Sequence, residues 1–175
     1  MYNDREVGKQ LVNSNLEDKI SVKEKQMTNS HNRHLLSVIM PVYNEGQHLK
    51  EILKRIIAAP LPEKVEKEII VIDDGSVDNT GEILKEFANN KTIVTHDLLL
   101  NCGKGTAVRM GIKKATGDIV IIQDGDLAYD PNDYSRVIKP ILDGEADVVY
   151  GSRFLGNIKS VTMFIEILCK CLTND

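Results

Sequence analysis

From Leu35 onward the sequence repeats one unit: a short run of branched apolar residues, a polar or acidic stop, then a helical stripe. Leu35-Leu36-Ser37-Val38-Ile39-Met40 stops at Pro41. Glu68-Ile69-Ile70-Val71-Ile72 stops at Asp73-Asp74-Gly75-Ser76, and Asp118-Ile119-Val120-Ile121-Ile122 stops at Gln123-Asp124-Gly125-Asp126. Runs apolar on both faces are those of strands covered by helices on either side. Thr92 to Thr95 and Ala146 to Tyr150 read as two further strands. Between them, Leu49, Ile52, Leu53, Ile56 and Ile57 mark one face of a helix over 45–59, with Asn44 as its expected cap and Pro60 beyond its end. Ile83, Leu84 and Phe87 mark a second helix, started by Asp78 or Thr80. Further helices are expected over Gly103 to Ala115 and Tyr134 to Leu142, the last opening at Asp130-Pro131. Strands alternating with helices predict an α/β fold with a mostly parallel sheet and helices on both faces. Val161 to Leu172 reads as an amphipathic helix. The expected organisation is a polar extension over 1–34, an α/β domain over 35–157 and a C-terminal amphipathic helix within 158–175.

The 22 Lys and Arg are outnumbered by 26 Asp and Glu, which argues against a nucleic-acid binder. The three cysteines, Cys102, Cys169 and Cys171, form neither a disulfide framework nor a zinc pattern. Reduced thiols, a polar N-terminus and the lack of any apolar run near the ~20 residues of a spanning helix predict a cytoplasmic chain.

In an open parallel sheet, ligands bind where the strands end. The acidic residues of this chain are concentrated there, in Asp73-Asp74 and Asp124-Gly125-Asp126, with Tyr43-Asn44-Glu45 after the first strand. Asp124-x-Asp126 offers the hard oxygen ligands that Mg²⁺ or Mn²⁺ shares with a diphosphate. Asp73 is open to two readings, a carboxylate closing a turn or an acceptor for a nucleobase N–H with Asp74 orienting the loop. Gly103-Lys104-Gly105 opens a helix, where free amides and a lysine attract phosphate. Its spacing fits neither a dinucleotide fingerprint nor a Walker loop. Arg153, after the last strand, is a second candidate phosphate cation, although a lone arginine there is more often a surface residue. His31, His34, His48 and His96 show no metal-ligand spacing, and no Ser–His–Asp or Cys–His ordering places a nucleophile at a strand end.

Taken together, Ser37-Val38-Ile39-Met40-Pro41-Val42-Tyr43-Asn44-Glu45, Ile72-Asp73-Asp74-Gly75-Ser76-Val77-Asp78, Gly103-Lys104-Gly105, Thr116-Gly117-Asp118, Gln123-Asp124-Gly125-Asp126-Leu127 and Val149-Tyr150-Gly151-Ser152-Arg153-Phe154 resemble the family 2 glycosyltransferases of GT-A fold. The likeness is strongest to the polyprenyl-phosphate (dolichyl-phosphate) mannose and glucose synthase branch. It implies transfer of a hexose, with inversion, from a GDP- or UDP-linked donor to polyprenyl phosphate or another glycan acceptor. Pro41, Tyr43, Glu45, Asp73, Asp74, Lys104 and Asp124 would bind the nucleotide-sugar. Asp124 and Asp126 would hold Mg²⁺ or Mn²⁺, and Asp124, Asp126 and Arg153 are the catalytic candidates. Ala128 stands where the synthases carry Gln or Glu, which removes one metal ligand, and the chain stops before the family's acceptor-side segment. The resemblance thus leaves two expectations, an active transferase in peripheral contact with the cytoplasmic face of a membrane, or a donor-binding remnant with little transfer activity. A sugar-1-phosphate nucleotidylyltransferase would need a Gly-rich, Arg-containing signature after the first strand, which is absent. A phosphoacceptor receiver would need a lone central aspartate and a late lysine.

Overall fold

The structure is a computed structural model that describes residues 33–150 and 166–169. Contacts divide the chain into Met1–Arg33 and His34–Asp175, and the elements below belong to the second unit. In chain order they are β1 (His34–Val42), α1 (Leu49–Ala58), β2 (Val65–Asp73), α2 (Thr80–Glu86), β3 (Ile93–Asp97), α3 (Lys104–Lys114), β4 (Ile119–Ile122), a 3₁₀ turn (Pro131–Asp133), α4 (Tyr134–Leu142), β5 (Val148–Tyr150) and β6 (Glu166–Cys169).

The strands form one sheet in the order β3-β2-β1-β4-β6-β5. β1 pairs in parallel with β2, from His34↔Val65 to Val42↔Asp73, and with β4, from Leu36↔Ile119 to Ile39↔Ile122. β2 pairs in parallel with β3. Alternate residues of β1 feed two cores, as the two-residue period of a strand requires. Val38, Met40 and Val42 pack on one face with Leu49, Ile52 and Ile56 of α1 and with Tyr134 and Ile138 of α4. Ile39 packs on the other with Ile70, Ile72, Val120 and Ala107 of α3. That second layer is thin because α3 lies close to the sheet. A Cβ on Gly111 would fall 2.3 Å from Ile39 Cγ2, so only glycine admits this approach. The expected α/β fold with a mostly parallel sheet and helices on both faces is the one observed.

Two expectations are corrected. Within the expected C-terminal helix, Glu166–Cys169 is a strand, antiparallel to β4 (Ile121↔Ile167) and to β5 (Val149↔Ile167). β4 would otherwise present an unpaired edge, and satisfying that ladder outweighs the helical stripe. The other residues of 158–175 lie outside the described residues. The first helix begins at Leu49 rather than Glu45, and Asn44 does not cap it. Asn44 has φ +54, and the Glu45 carbonyl accepts from His48 and Leu49 N–H in a turn that precedes the helix.

Candidate active site

Because β1, β2 and β4 are parallel neighbours, their carboxyl ends meet on one edge of the sheet. A hollow of about 350 Å³ opens there, lined among others by Pro41, Tyr43, Glu45, Asp74, Asn101, Lys104, Asp124 and Asp126. Four loops build it, those that follow β1, β2, β3 and β4.

The loop after β1 is laced to the loop after β2. Asn44 N–H donates to Ser76 Oγ at 2.9 Å, and Val77 N–H donates back to Asn44 Oδ1 at 2.9 Å. Glu45 N–H donates to Thr80 Oγ1 and Gly46 N–H to Asp78 Oδ2, both at 3.0 Å. These bonds hold Tyr43, 44% exposed, and Glu45 at the mouth of the hollow.

The loop after β2 places its two carboxylates differently. Asp73 Oδ1 accepts from Ser76 N–H at 2.9 Å, and Asp73 is not among the residues that line the hollow. Asp74 lines it, but both of its oxygens accept from the main chain, from Cys102 N–H and Gly103 N–H at 2.8 Å each. Its charge fixes the start of α3. Gly75, at φ +75, lets this loop cross the backbone of Leu100, where a Cβ would lie 2.7 Å from the carbonyl carbon. Gly103, at φ +87, then turns the chain so that Lys104 begins α3 at the lip.

The loop after β4 rests on buried polar groups. Gln123 and Tyr134 are fully buried, and Tyr134 Oη donates to Gln123 Oε1 at 2.7 Å. Gln123 Nε2 donates to the Asp124 carbonyl at 3.2 Å, and Gln123 N–H to the Ile39 carbonyl at 2.9 Å. Burial, followed by the charge of Asp130, pushes the Tyr134 hydroxyl well above its ordinary value, so it remains a donor. Asp126 Oδ1 accepts from Ala128 N–H at 3.0 Å. Asp124 Oδ1 lies 2.5 Å from Lys104 Nζ.

Negative charge accumulates around the hollow. Burial first, and then Asp126, Asp124 and Asp78, raise the Glu45 carboxyl above its ordinary value, with His48 opposing them. Among the described residues no group of three or more His, Cys, Asp or Glu forms a ready metal cage. The donor set still fits a hard divalent ion, because Asp124 and Asp126 supply carboxylate oxygens, Lys104 offsets only part of the negative charge that they and Glu45 gather, and a diphosphate with water fills such a shell. Pro41, Tyr43, Glu45, Asp74, Lys104, Asp124 and Asp126 therefore share one hollow, Asp73 lies behind it, and Arg153 lies outside the described residues. Sequence reasoning missed the Gln123–Tyr134 support and the Lys104–Asp124 pair. A polar residue ending a buried strand was the available signal for Gln123; no spacing pairs Lys104 with Asp124.

Fold and site together define an α/β domain with an acidic hollow at the carboxyl edge of its parallel strands, the edge where ligands bind in such sheets. The sequence profile described as glycosyl transferase family 2 matches residues 37–168, and the chain belongs to that family. It is 37% identical over 108 residues to an undecaprenyl-phosphate 4-deoxy-4-formamido-L-arabinose transferase of Pseudomonas fluorescens, covering 61% of this chain and 32% of that one. It is 31% identical over 137 residues to a dolichol-phosphate mannosyltransferase of Pyrococcus furiosus, covering 77% and 38%. The chain thus spans about a third of the length of the curated relatives it matches. Among solved structures it resembles S. aureus TarS 1–349 in complex with UDP, at TM-score 0.57 and 28% identity over 65% of this chain and 33% of that one. The mannosyltransferase PcManGT from Pyrobaculum calidifontis, in complex with GDP-Man and Mn²⁺, matches at TM-score 0.51 and 29% identity, covering 59% and 30%. These neighbours are glycosyltransferases of the GT-A fold.

Proposed function

We propose that this chain is the donor-binding part of a glycosyltransferase that moves a hexose from a nucleotide-diphospho-sugar, GDP- or UDP-linked, to polyprenyl phosphate with inversion. Residues 35–157 form its donor-binding domain. The observation that carries the reading is the convergence of Tyr43 and Glu45, Lys104, and Asp124 and Asp126 on one hollow at the carboxyl ends of β1, β2 and β4. The names of the relatives support a polyprenyl-phosphate acceptor.

Pro41, Tyr43 and Glu45 flank the nucleoside in this reading, with Asp73 supporting the loop below it. Lys104 and the amino end of α3 face the diphosphate, where a helix start favours negative charge. Asp124 and Asp126 would hold Mg²⁺ or Mn²⁺, which would neutralise charge growing on the departing nucleoside diphosphate. Arg153 is assigned to the same phosphate. A polyprenyl phosphate arrives ionised and attacks the anomeric carbon without a protein base, which a sugar hydroxyl would need. An acceptor of this kind implies work at a membrane surface; among the described residues no helix is long and apolar enough to cross one.

A thermal-shift series with GDP and UDP, each with Mg²⁺ and Mn²⁺, tests the donor site. Stabilisation by a nucleoside diphosphate that requires the metal is expected, and Asp126→Ala should remove the metal-dependent part while leaving the ligand-free melting temperature within a few degrees. Equal ligand shifts in variant and parent would refute the metal assignment. Incorporation of radiolabelled sugar into a lipid extract then tests transfer. Donor binding without incorporation would identify a donor-binding unit.

A further inference from the structure

We propose that Lys104 is the resident counter-ion of Asp124 and leaves it for the donor diphosphate, so that donor and metal each promote the binding of the other. This rests on the donor reading above and assigns Lys104 a task that a plain phosphate ligand would not have.

The pair joins the first residue of α3 to the loop after β4, with Nζ 2.5 Å from Asp124 Oδ1. Among the described residues, Lys104 is the only Lys or Arg within ion-pair distance of Asp124, Asp126 or Glu45. It therefore occupies the electrostatic place a divalent ion would take. The two partners differ in mobility. The Asp124 side chain is 24% exposed and its backbone is fastened by Gln123, whereas the Lys104 side chain is 63% exposed. An ammonium on a flexible stem is a point charge with several reachable positions, and a partly exposed ion pair is weak enough to exchange. Its backbone, by contrast, is anchored, because Asp74 holds Cys102 N–H and Gly103 N–H. The side chain is thus free to swing while its root stays at the lip.

A metal entering alone must displace Lys104 from Asp124, and a diphosphate entering alone must compete with Asp124 for Lys104. When both enter, the ammonium moves to the phosphate and Asp124 is freed for the metal. Each ligand then lowers the dissociation constant of the other by the same factor, as linkage requires.

Mn²⁺ isotherms measured by electron paramagnetic resonance, for the parent, Lys104→Met and Lys113→Met, test this with and without GDP or UDP. Lys113 is an exposed cation at the far end of α3 and controls for general charge. In Lys104→Met, Mn²⁺ alone should bind about threefold more tightly, the size of a partly exposed pair. The factor by which the nucleoside diphosphate tightens Mn²⁺ should shrink by the same amount, and Lys113→Met should match the parent. Unchanged Mn²⁺ affinity in Lys104→Met, or an equal rise in Lys113→Met, overturns the proposal while leaving the donor site standing. A parent that no nucleoside diphosphate stabilises in the presence of Mn²⁺ overturns both.

Discussion

Asn44 carries two jobs at once. Its φ of +54 is one that asparagine and glycine tolerate, and its Oδ1 accepts from Val77 N–H. Asn44→Ala loses both, a destabilisation of about 2 kcal/mol from the strained backbone and the missing bond. Asn44→Gly should recover roughly half of that, since it restores only the backbone freedom. Urea denaturation of the two variants measures the difference; equal losses would show that the conformation matters little. Nucleoside diphosphate affinity should fall in both, because Tyr43 and Glu45 flank the residue. Gly125 is constrained differently, by space. A Cβ there would lie 2.9 Å from Val42 Cγ1 and 3.1 Å from Glu45 Cγ, and Val42 is buried at 2% exposure. Since Val42 has nowhere to go, Gly125→Ala must move the Asp124–Asp126 loop instead. About 1–3 kcal/mol of stability is expected to go, and any transfer rate should drop on the order of tenfold or more as the carboxylates are misplaced. A variant with the parent's metal-dependent thermal shift would contradict this.

Between secondary-structure elements, a carboxylate with several partners lies at the opposite edge of the sheet from the hollow. Glu68 of β2 accepts from Ser37 Oγ of β1 and from Thr116 and Gly117 at the turn between α3 and β4. Burial acts to raise its carboxyl, but the hydrogen bonds from Ser37, Thr116 and Gly117 outweigh it and hold the group below its ordinary 4.5. A carboxyl depressed by folding stabilises the protein above its unfolded value, and that share disappears as pH falls through the lower folded value. Glu68→Gln should therefore destabilise by about 1–2 kcal/mol at neutral pH, with the gap to the parent closing as the pH drops below 4.5. Melting temperatures across that range decide it; a constant gap would mean the charge is irrelevant. Local pattern showed where β2 and β4 stop, because an apolar run meets the polar residues Asp73-Asp74 or Gln123, whereas β1 runs one residue past Pro41, where its apolar run was expected to stop. It showed α4 over Tyr134–Leu142, where Tyr134, Val137 and Ile138 fall on one buried helical face. It did not show that α1 starts at Leu49, because what draws Asn44 to Gly46 away from a helix is a set of partners in Ser76 to Thr80. Nor did it show the Lys104–Asp124 pair. Pairings between distant segments leave no period in a sequence.

The assembled sheet explains the other misreading, and it is open to test. Nothing within Val161–Leu172 separates a strand from a helix, since a short apolar run suits both. The choice is made by β4, whose four residues are all buried and which has β1 on only one side. β6 supplies the missing neighbour and in turn carries β5, so the antiparallel end of the sheet depends on one short strand. Ile167 is its pivot, opposite Ile121 on one side and Val149 on the other. Ile167→Pro removes a main-chain donor where no central strand tolerates the loss. It should lower the melting temperature and, by leaving an apolar β4 edge unpaired, make the protein self-associate with rising concentration in gel filtration. Ile167→Val keeps the N–H and should stay monodisperse to the same extent as the parent. Because β4 leads directly into Asp124 and Asp126, loosening its edge should also weaken the metal-dependent shift by nucleoside diphosphate. If the proline variant keeps the parent's melting temperature and elution, β6 is dispensable and the sheet closes its edge by other means.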